Sequence, residues 1–155
     1  MRPKIVFSSN SSKFKTGFGK HAAVFLKYFF SLKNPDGSRK FEVIEFAQGI
    51  SENDPVLKTV PWKAYGLMPA TDEGLLEGLP NNQEIIEPLK RMVGYGAAKT
   101  EQLLKKEKPD YFFICEDCWG AAVLRKYTNR PFLPMWDCEW WDKANCILWT
   151  PVDSL

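Results

Sequence analysis

Two glycines near the N-terminus mark the stretch with the clearest potential for chemistry. Gly17 and Gly19 lie between a short apolar run at 5–7 and a long segment with helical periodicity. Because glycine has no Cβ, another group can approach its backbone closely. At the start of a helix, unpaired N–H groups and the helix dipole also favour an anion such as phosphate. The loop is therefore either a binding loop for a phosphate or sugar or only the turn into the helix, and the glycines taken alone favour the turn.

The same glycines also fit the G-x-G-x-x-A pattern of dinucleotide-binding loops, with Ala22 in the last position. In such proteins the pattern directly follows a strand, whereas here the polar stretch 8–16 intervenes. Binding of NAD or NADP would also need Glu42 or Glu45 as the acid that holds the ribose. The spacing therefore speaks against a dinucleotide site.

Composition and charge exclude several classes of function. The chain has 155 residues, 45% of them hydrophobic, which predicts one domain with a substantial core. The formal net charge of +2, with acids and bases interspersed, gives no electrostatic footprint for nucleic acid. No apolar run reaches transmembrane length, and the N-terminal residues show no signal-peptide pattern. We therefore expect no membrane span and a cytoplasmic location.

Two of the four cysteines have the C-x-x-C spacing of zinc and redox sites, Cys115 and Cys118. The sequence contains no second such pair, and His21 is its only histidine. Glu116 and Asp117, between the two cysteines, disfavour the thiolate that redox chemistry needs. We therefore expect no metal site and interpret these cysteines as buried residues at strand ends.

Apolar periodicity predicts that the chain begins as a strand–helix–strand unit. The run at 5–7 predicts a strand, and a Pro-Gly turn at 34–38 leads to a second strand at 41–47. Two strands joined by a helix are parallel and form a right-handed crossover. The helix between them has one apolar face, and three further residues widen it, which predicts a largely buried helix. The face contains Phe18, Ala22, Phe25, Leu26 and Phe29, and the residues that widen it are Val24, Tyr28 and Leu32.

The rest of the chain is predicted to complete the same single domain, 1–155. Prolines and glycines punctuate the segment 48–82, which predicts an irregular insertion. The unbroken apolar run Tyr111–Cys115 predicts a central parallel strand. Further predictions are helices at 83–93, 97–108 and 119–127 and strand-like segments at 130–135 and 146–152.

Three motifs together resemble the N-terminal half of GT-B glycosyltransferases, specifically the retaining family-four type. They are Ser8-Ser9-Asn10 with Thr16-Gly17-Phe18-Gly19, then Pro109-Asp110 with the apolar run, Asp117 and Trp119, and finally Trp149-Thr150-Pro151-Val152-Asp153. Their order and spacing agree across nearly the whole chain. The resemblance implies an α/β fold, a Rossmann-like three-layer domain with a mainly parallel sheet that faces a second domain across a cleft.

The resemblance also implies the site residues and their roles. They are Thr16, Gly17, Gly19 and Lys20 in a donor-phosphate loop, Asn10, Asp117, Trp119 and Asp137 at the cleft rim or acceptor site, and Asp153 as the catalytic polar group beside the transferred sugar. Simpler explanations stay open. Asp117 could cap a helix, and Asp153 could be part of a solvated terminus. For Trp119, a place in the hydrophobic core is the favoured explanation. The nucleotide sugar is a substrate in this scheme, and no cofactor or metal is implied.

In such enzymes a C-terminal domain grips the nucleotide, and no residues after Leu155 supply it here. We therefore expect a fragment that is inactive by itself, and whose partner is the missing domain or another protein. Its substrates would be a nucleotide sugar and an acceptor. Without that domain, apolar surface near 140–149 would be exposed, which predicts a tendency to form homo-oligomers.

A separate candidate is the aromatic and acidic segment 136–141. Aromatic rings stack on sugar CH faces and carboxylates accept hydroxyl hydrogen bonds, although a core edge with acids turned outward explains the segment somewhat better. Glu139 and Asp142 can also be drawn as a glycosidase pair, but the sequence does not give their separation. The alternative to a transferase is a non-catalytic Rossmann-like module that buries this segment and the last strand against a partner.

Overall fold

The N-terminal strand lies at the centre of a five-stranded sheet. The computed structural model describes residues 2–70, 96, 99–115 and 145–149. In chain order the elements are β1 (Lys4–Asn10), α1 (Gly17–Ser31), β2 (Glu42–Ser51), a 3-10 helix (Pro55–Thr59), β3 (Lys63–Met68), α2 (Thr100–Glu107), β4 (Tyr111–Cys115) and β5 (Asn145–Trp149).

All four strand pairs are parallel, and the spatial order is β3-β2-β1-β4-β5. This is the order of a doubly wound Rossmann sheet. The sheet confirms the predicted Rossmann-like α/β fold. The β4 strand has the predicted bounds, and the turn at 34–38 is closed by hydrogen bonds between Asn34 and Ser38 and between Gly37 and Asn34.

One face of the sheet is covered by α1. Phe7 of β1 is fully buried there beside Leu26, and the Phe25 ring stacks on it with ring centroids 4.2 Å apart. Each such side chain stabilises the fold by about 2 kcal/mol when it leaves water. The other residues of this layer are Ala22, Val43 and Cys115, with Phe18, Phe29, Phe30, Phe41, Trp62 and Phe113 partly buried around them.

The opposite face of the sheet is covered by α2. Successive side chains of a strand point to opposite faces, so Val6 of β1 faces α2 while Phe7 faces α1. Leu104 of α2 packs on this second layer. Its remaining buried members are Ile44, Phe46, Leu67, Phe112 and Ile114. Helices on both faces complete the predicted three layers.

The prediction that α1 is buried on a widened face was wrong. Val24 is 70% exposed and Tyr28 is 58% exposed. Each lies two residues from Leu26, and at 3.6 residues per turn such positions lie on opposite sides of a helix. The sheet covers only the side that carries Leu26. Leu32 lies beyond the last turn and is half-buried.

The prediction of an irregular insertion at 48–82 was wrong for its first part. β2 continues to Ser51, and β3 pairs with it in parallel. Gly66, one of the residues that suggested irregularity, lies where the β2–β3 register shifts. A Cβ there would lie 2.7 Å from the Ile50 carbonyl oxygen and closer still to that of Ser51, so the close approach of the strands requires glycine. Residues 71–82 lie outside the described residues.

Two further predicted elements differ from the observed ones at their ends, and three others lie outside the described residues. The helix predicted at 97–108 forms α2, and Lys108 closes it in the left-handed conformation, with its N–H bonded to the Leu104 carbonyl oxygen. The last strand, predicted at 146–152, is described only at 145–149. The predicted segments 83–93, 119–127 and 130–135 lie outside the described residues. Within the part of the chain that the structure describes, no helix is both long and apolar enough to span a membrane.

The Glu52 carboxylate, just beyond β2, holds together two distant parts of the chain. One oxygen accepts a hydrogen bond from the backbone N–H of Ala70 at 3.1 Å, and the other is paired with the Lys99 ammonium. The hydrogen bond from Lys99 is the main reason that the pKa of Glu52 lies below its ordinary value. Ala70 follows β3 and Lys99 precedes α2, so Glu52 brings the end of β3 close to the start of α2.

A charged network closes the amino end of the sheet. The Glu107 carboxylate is buried at the end of α2 and accepts hydrogen bonds from Lys63 at 2.6 Å, from Lys4 at 3.3 Å and from the Tyr65 hydroxyl. Burial alone would raise the pKa of Glu107, but these donors outweigh it and the pKa lies below the ordinary value of 4.5. The network therefore favours the charged form and ties β1 and β3 to α2.

We expect Glu107→Gln to lower the free energy of unfolding at neutral pH by about 2 kcal/mol, because hydrogen bonds to a charged group are lost. A carboxyl whose pKa is lowered by folding stabilises the protein above its unfolded pKa, and this contribution disappears as the pH falls through the folded pKa. The difference between wild type and variant should thus shrink below pH 4.5. Urea unfolding at several pH values measures this difference in stability.

Glu42→Gln is the control, because it removes a more exposed partner of Lys4. It should lower the free energy of unfolding by less than about 1 kcal/mol. Equal losses in both variants would contradict the assignment of Glu107 as the centre of the network.

Candidate functional site

The candidate site lies at the carboxyl end of β1, where the strand order across the sheet reverses. β1 pairs with β2 on one side and with β4 on the other, so the connections that follow β1 and β4 run to opposite sides. Open α/β sheets bind ligands at such a point. Ser9 fixes this edge because its hydroxyl donates a 2.9 Å hydrogen bond to the Cys115 carbonyl oxygen of β4. Cys115 is fully buried at this strand end, as predicted.

The loop between β1 and α1, residues 11–16, turns back onto its own helix. Its first N–H, on Ser11, bonds to the Gln48 carbonyl oxygen of β2 at 3.2 Å, and the Phe14 N–H bonds to the Ser11 carbonyl oxygen at 2.9 Å. The Thr16 hydroxyl accepts hydrogen bonds from the Gly19 N–H at 3.0 Å and from the Asn10 amide at 3.2 Å. Thr16 is therefore the N-cap of α1, and Asn10 links this cap to the end of β1.

The two glycines have different roles. A Cβ on Gly19 would lie 2.5 Å from the Phe14 carbonyl oxygen and 2.8 Å from that of Ser11, so the folded-back loop requires glycine there. A Cβ on Gly17 would meet no atom of the described residues within 4 Å. Packing within the described residues does not require Gly17, and the space beside it is open.

Several basic side chains lie near the N-terminus of α1. The first turn contains no acidic residue. Lys13, Lys15 and Lys20 are all exposed around it, and the Lys13 ammonium lies 3.5 Å from the Thr59 carbonyl oxygen. Helix geometry leaves the N–H groups of Gly17 and Phe18 without intrahelical partners. Together with the helix dipole, these groups favour an anion.

A buried carboxylate supports the loop from below. Glu45 of β2 is 2% exposed and accepts hydrogen bonds from the Ser12 N–H at 2.7 Å, the Ser12 hydroxyl at 3.0 Å and the Trp62 indole N–H at 2.7 Å. It is therefore already occupied by protein donors. Glu42 lies at the opposite, amino end of β2, where it pairs with Lys4. Neither acid is placed to hold the ribose of a dinucleotide bound at the carboxyl edge.

A second buried polar pair lies on the α2 face of the same edge. The Gln48 amide donates to the Ser8 hydroxyl at 3.3 Å, and Gln48 pairs in register with Asn10. The Oε1 atom of the Gln48 side-chain amide, although buried, has no hydrogen-bond partner among the described residues. The edge is thus polar on both faces.

The structure brings five of the predicted site residues to this edge: Asn10, Thr16, Gly17, Gly19 and Lys20. The others, Asp117, Trp119, Asp137 and Asp153, lie outside the described residues, as do the aromatic segment 136–141 and Cys118. Within the described ranges, no cluster of three or more histidine, cysteine, aspartate or glutamate side chains is suited to hold a metal ion.

The sequence did not reveal the supporting roles of Glu45, Trp62 and Gln48. One signal was present: Glu45 interrupts the apolar part of a strand that becomes buried on both faces, and a buried charge requires partners. Its partners come from the loop before α1 and from the residue that precedes β3, and no local pattern predicts such pairing.

The chain matches no protein-family model, no curated protein and no solved structure. The class that the described residues define is a Rossmann-like α/β domain with an N-capped, lysine-flanked helix at the carboxyl edge of its sheet.

We expect Gly19→Ala to destabilise the protein by about 2 kcal/mol, because its Cβ would meet two backbone carbonyl oxygens that cannot move without shifting the loop. Gly17→Ala is the matched control, since it adds the same methyl group in open space. It should be neutral or stabilise by about 0.5 kcal/mol. Thermal and urea unfolding of the two variants measure the difference, and equal stabilities would show that the loop does not pack on Gly19 as described.

Proposed function

We propose that the chain is the acceptor-side, N-terminal domain of a GT-B glycosyltransferase that uses a nucleotide sugar as donor. The observation that carries the proposal is the open space at Gly17, in front of a capped helix N-terminus with lysines around it and no acid in its first turn. The resemblance in the three motifs supplies the class of substrate. No cofactor or metal is part of the proposal.

The proposed mechanism is stabilisation of a departing diphosphate. The N–H groups of Gly17 and Phe18 and the positive end of the α1 dipole would face the phosphate oxygens, and Lys20 would add a charge from the same turn. Preorganised donors of this kind act where negative charge develops during the reaction. In this proposal Asp153 lies beside the transferred sugar, and Asn10, Asp117, Trp119 and Asp137 lie along the cleft; for all but Asn10 the placement rests on the resemblance alone.

The remaining requirements of such an enzyme would come from elsewhere. A C-terminal domain or a protein partner would grip the nucleotide, so the isolated chain is expected to bind the donor weakly and to transfer no sugar. A cytoplasmic location and a homo-oligomeric state belong to the same proposal as predictions from the sequence.

A second candidate function is a non-catalytic binding or assembly module with the same fold. The exposure of Val24 and Tyr28, one turn apart on the outer side of α1, favours this candidate. It predicts self-association or capture of a protein and no affinity for a nucleotide sugar.

Titration with inorganic pyrophosphate, UDP, GDP and ADP, followed by ¹⁵N NMR and calorimetry, tests the proposal. We expect shifts confined to the amides of Gly17, Phe18 and Gly19, with affinities that fall as salt is added because the contact is electrostatic. Gly17→Leu should weaken binding by about tenfold or more, since its side chain fills the space in front of the helix, while changing the free energy of unfolding by less than about 0.5 kcal/mol.

Val24→Leu is the matched control, because it enlarges an exposed side chain further along the same helix. It should bind like wild type. An absence of shifts at 17–19 with every probe would overturn the proposal, and self-association under those conditions would favour the assembly module. Preferential binding of NAD or NADP would instead support the dinucleotide hypothesis.

A further inference from the structure

We propose that Glu45 is the positioning residue of the loop 11–16, and that only a carboxylate can fill this role while Trp62 is present. Glu45 would touch no ligand and would act through the loop. Its consequence for ligand affinity rests on the proposed function, whereas its consequence for the loop itself does not.

Three donors converge on the Glu45 side chain, and both of its oxygens are used. One oxygen accepts from the Ser12 N–H at 2.7 Å. The other accepts from the Ser12 hydroxyl at 3.0 Å and from the Trp62 indole N–H at 2.7 Å. The side chain is 2% exposed, so water cannot readily replace any of these donors.

A glutamine at this position cannot satisfy the same groups. Its amide has one oxygen and one NH₂, and the NH₂ only donates. If the NH₂ faces the Ser12 N–H, two donors oppose each other. If the amide is flipped, the NH₂ faces the Trp62 N–H, and two donors again oppose each other. Neither orientation avoids a buried donor without an acceptor, which is costly.

Removing the indole donor changes this result. With phenylalanine in place of Trp62, the NH₂ of a glutamine at position 45 can donate to the Ser12 hydroxyl, while its oxygen accepts from the Ser12 N–H. A hydroxyl group serves as donor or acceptor by rotation. Phenylalanine also preserves an aromatic contact with Phe30, whose ring centroid lies 5.8 Å from that of Trp62. The second substitution should therefore rescue the first.

The anchored residue is directly connected to the candidate site. Ser12 is flanked by Ser11, whose carbonyl oxygen packs against Gly19 of α1, and by Lys13. The loop carries Lys13 and Lys15 and ends at the N-cap Thr16. By fixing Ser12, Glu45 sets where these charges lie relative to the N–H groups of the first turn of α1.

The test compares Glu45→Gln, Trp62→Phe and the double variant in the full chain. Hydrogen exchange of the Ser12 amide reports the anchor, and pyrophosphate affinity reports the site. In Glu45→Gln we expect the Ser12 amide to exchange about tenfold faster or more, and pyrophosphate affinity to fall about fivefold or more. Trp62→Phe should stay within about twofold of wild type in both, because Ser12 retains its acceptors. The double variant should resemble Trp62→Phe rather than Glu45→Gln.

Each outcome decides a separate point. Unchanged exchange of the Ser12 amide in Glu45→Gln would overturn the proposal, and so would a double variant no better than that single variant. If Glu45→Gln does not fold, a folded double variant supports the proposal and an unfolded one overturns it. If wild type binds no pyrophosphate, the proposed function fails, while the exchange rates of Ser12 still decide the role of Glu45.

Discussion

The structure depends on the burial of β1. This strand hydrogen-bonds to a strand on each side and packs against a helix layer on each face. Ile5, Val6 and Phe7 are 2%, 0% and 0% exposed, so no side chain in this part of the strand reaches water. A parallel strand in that position must be entered and left through connections at its ends. The loop that follows β1 is consequently forced to the carboxyl edge of the sheet, and its polar residues are concentrated there.

The lysines at the two edges of the sheet have different surroundings. At the amino edge, Lys4 and Lys63 are paired with the buried Glu107, and their charge contributes to stability. At the carboxyl edge, Lys15 and Lys20 form no ion pair within the described residues and surround a helix N-terminus. Exposed lysines beside a helix N-terminus favour an anion. The asymmetry distinguishes lysines that contribute to stability through a buried carboxylate from lysines that form no ion pair within the described residues.

Local patterns were sufficient to predict the strand–helix–strand start and the apolar strand β4, because burial on both faces leaves a direct trace in the sequence. They failed where distant groups decide the outcome. Gly66 suggested a break, yet it permits the close approach of β3 to β2. Val24 and Tyr28 were counted with the apolar face of α1, but the sheet covers only the side of the helix that carries Leu26, and both residues are exposed. The predicted order of strand, loop and helix put the two glycines after β1, but it could not distinguish the sterically required Gly19 from the unconstrained Gly17.

The contacts of Glu52 have a consequence for how this domain can be altered. The carboxylate holds Ala70 and Lys99 at one point, although 28 residues separate them along the chain. A connection whose two ends are held together can change in length at a small cost in closure entropy. A change in the length of this connection is therefore expected to leave β3 and α2 in place as long as Glu52 and Lys99 stay paired. This closing contact lies at the same edge of the sheet as the glycine loop.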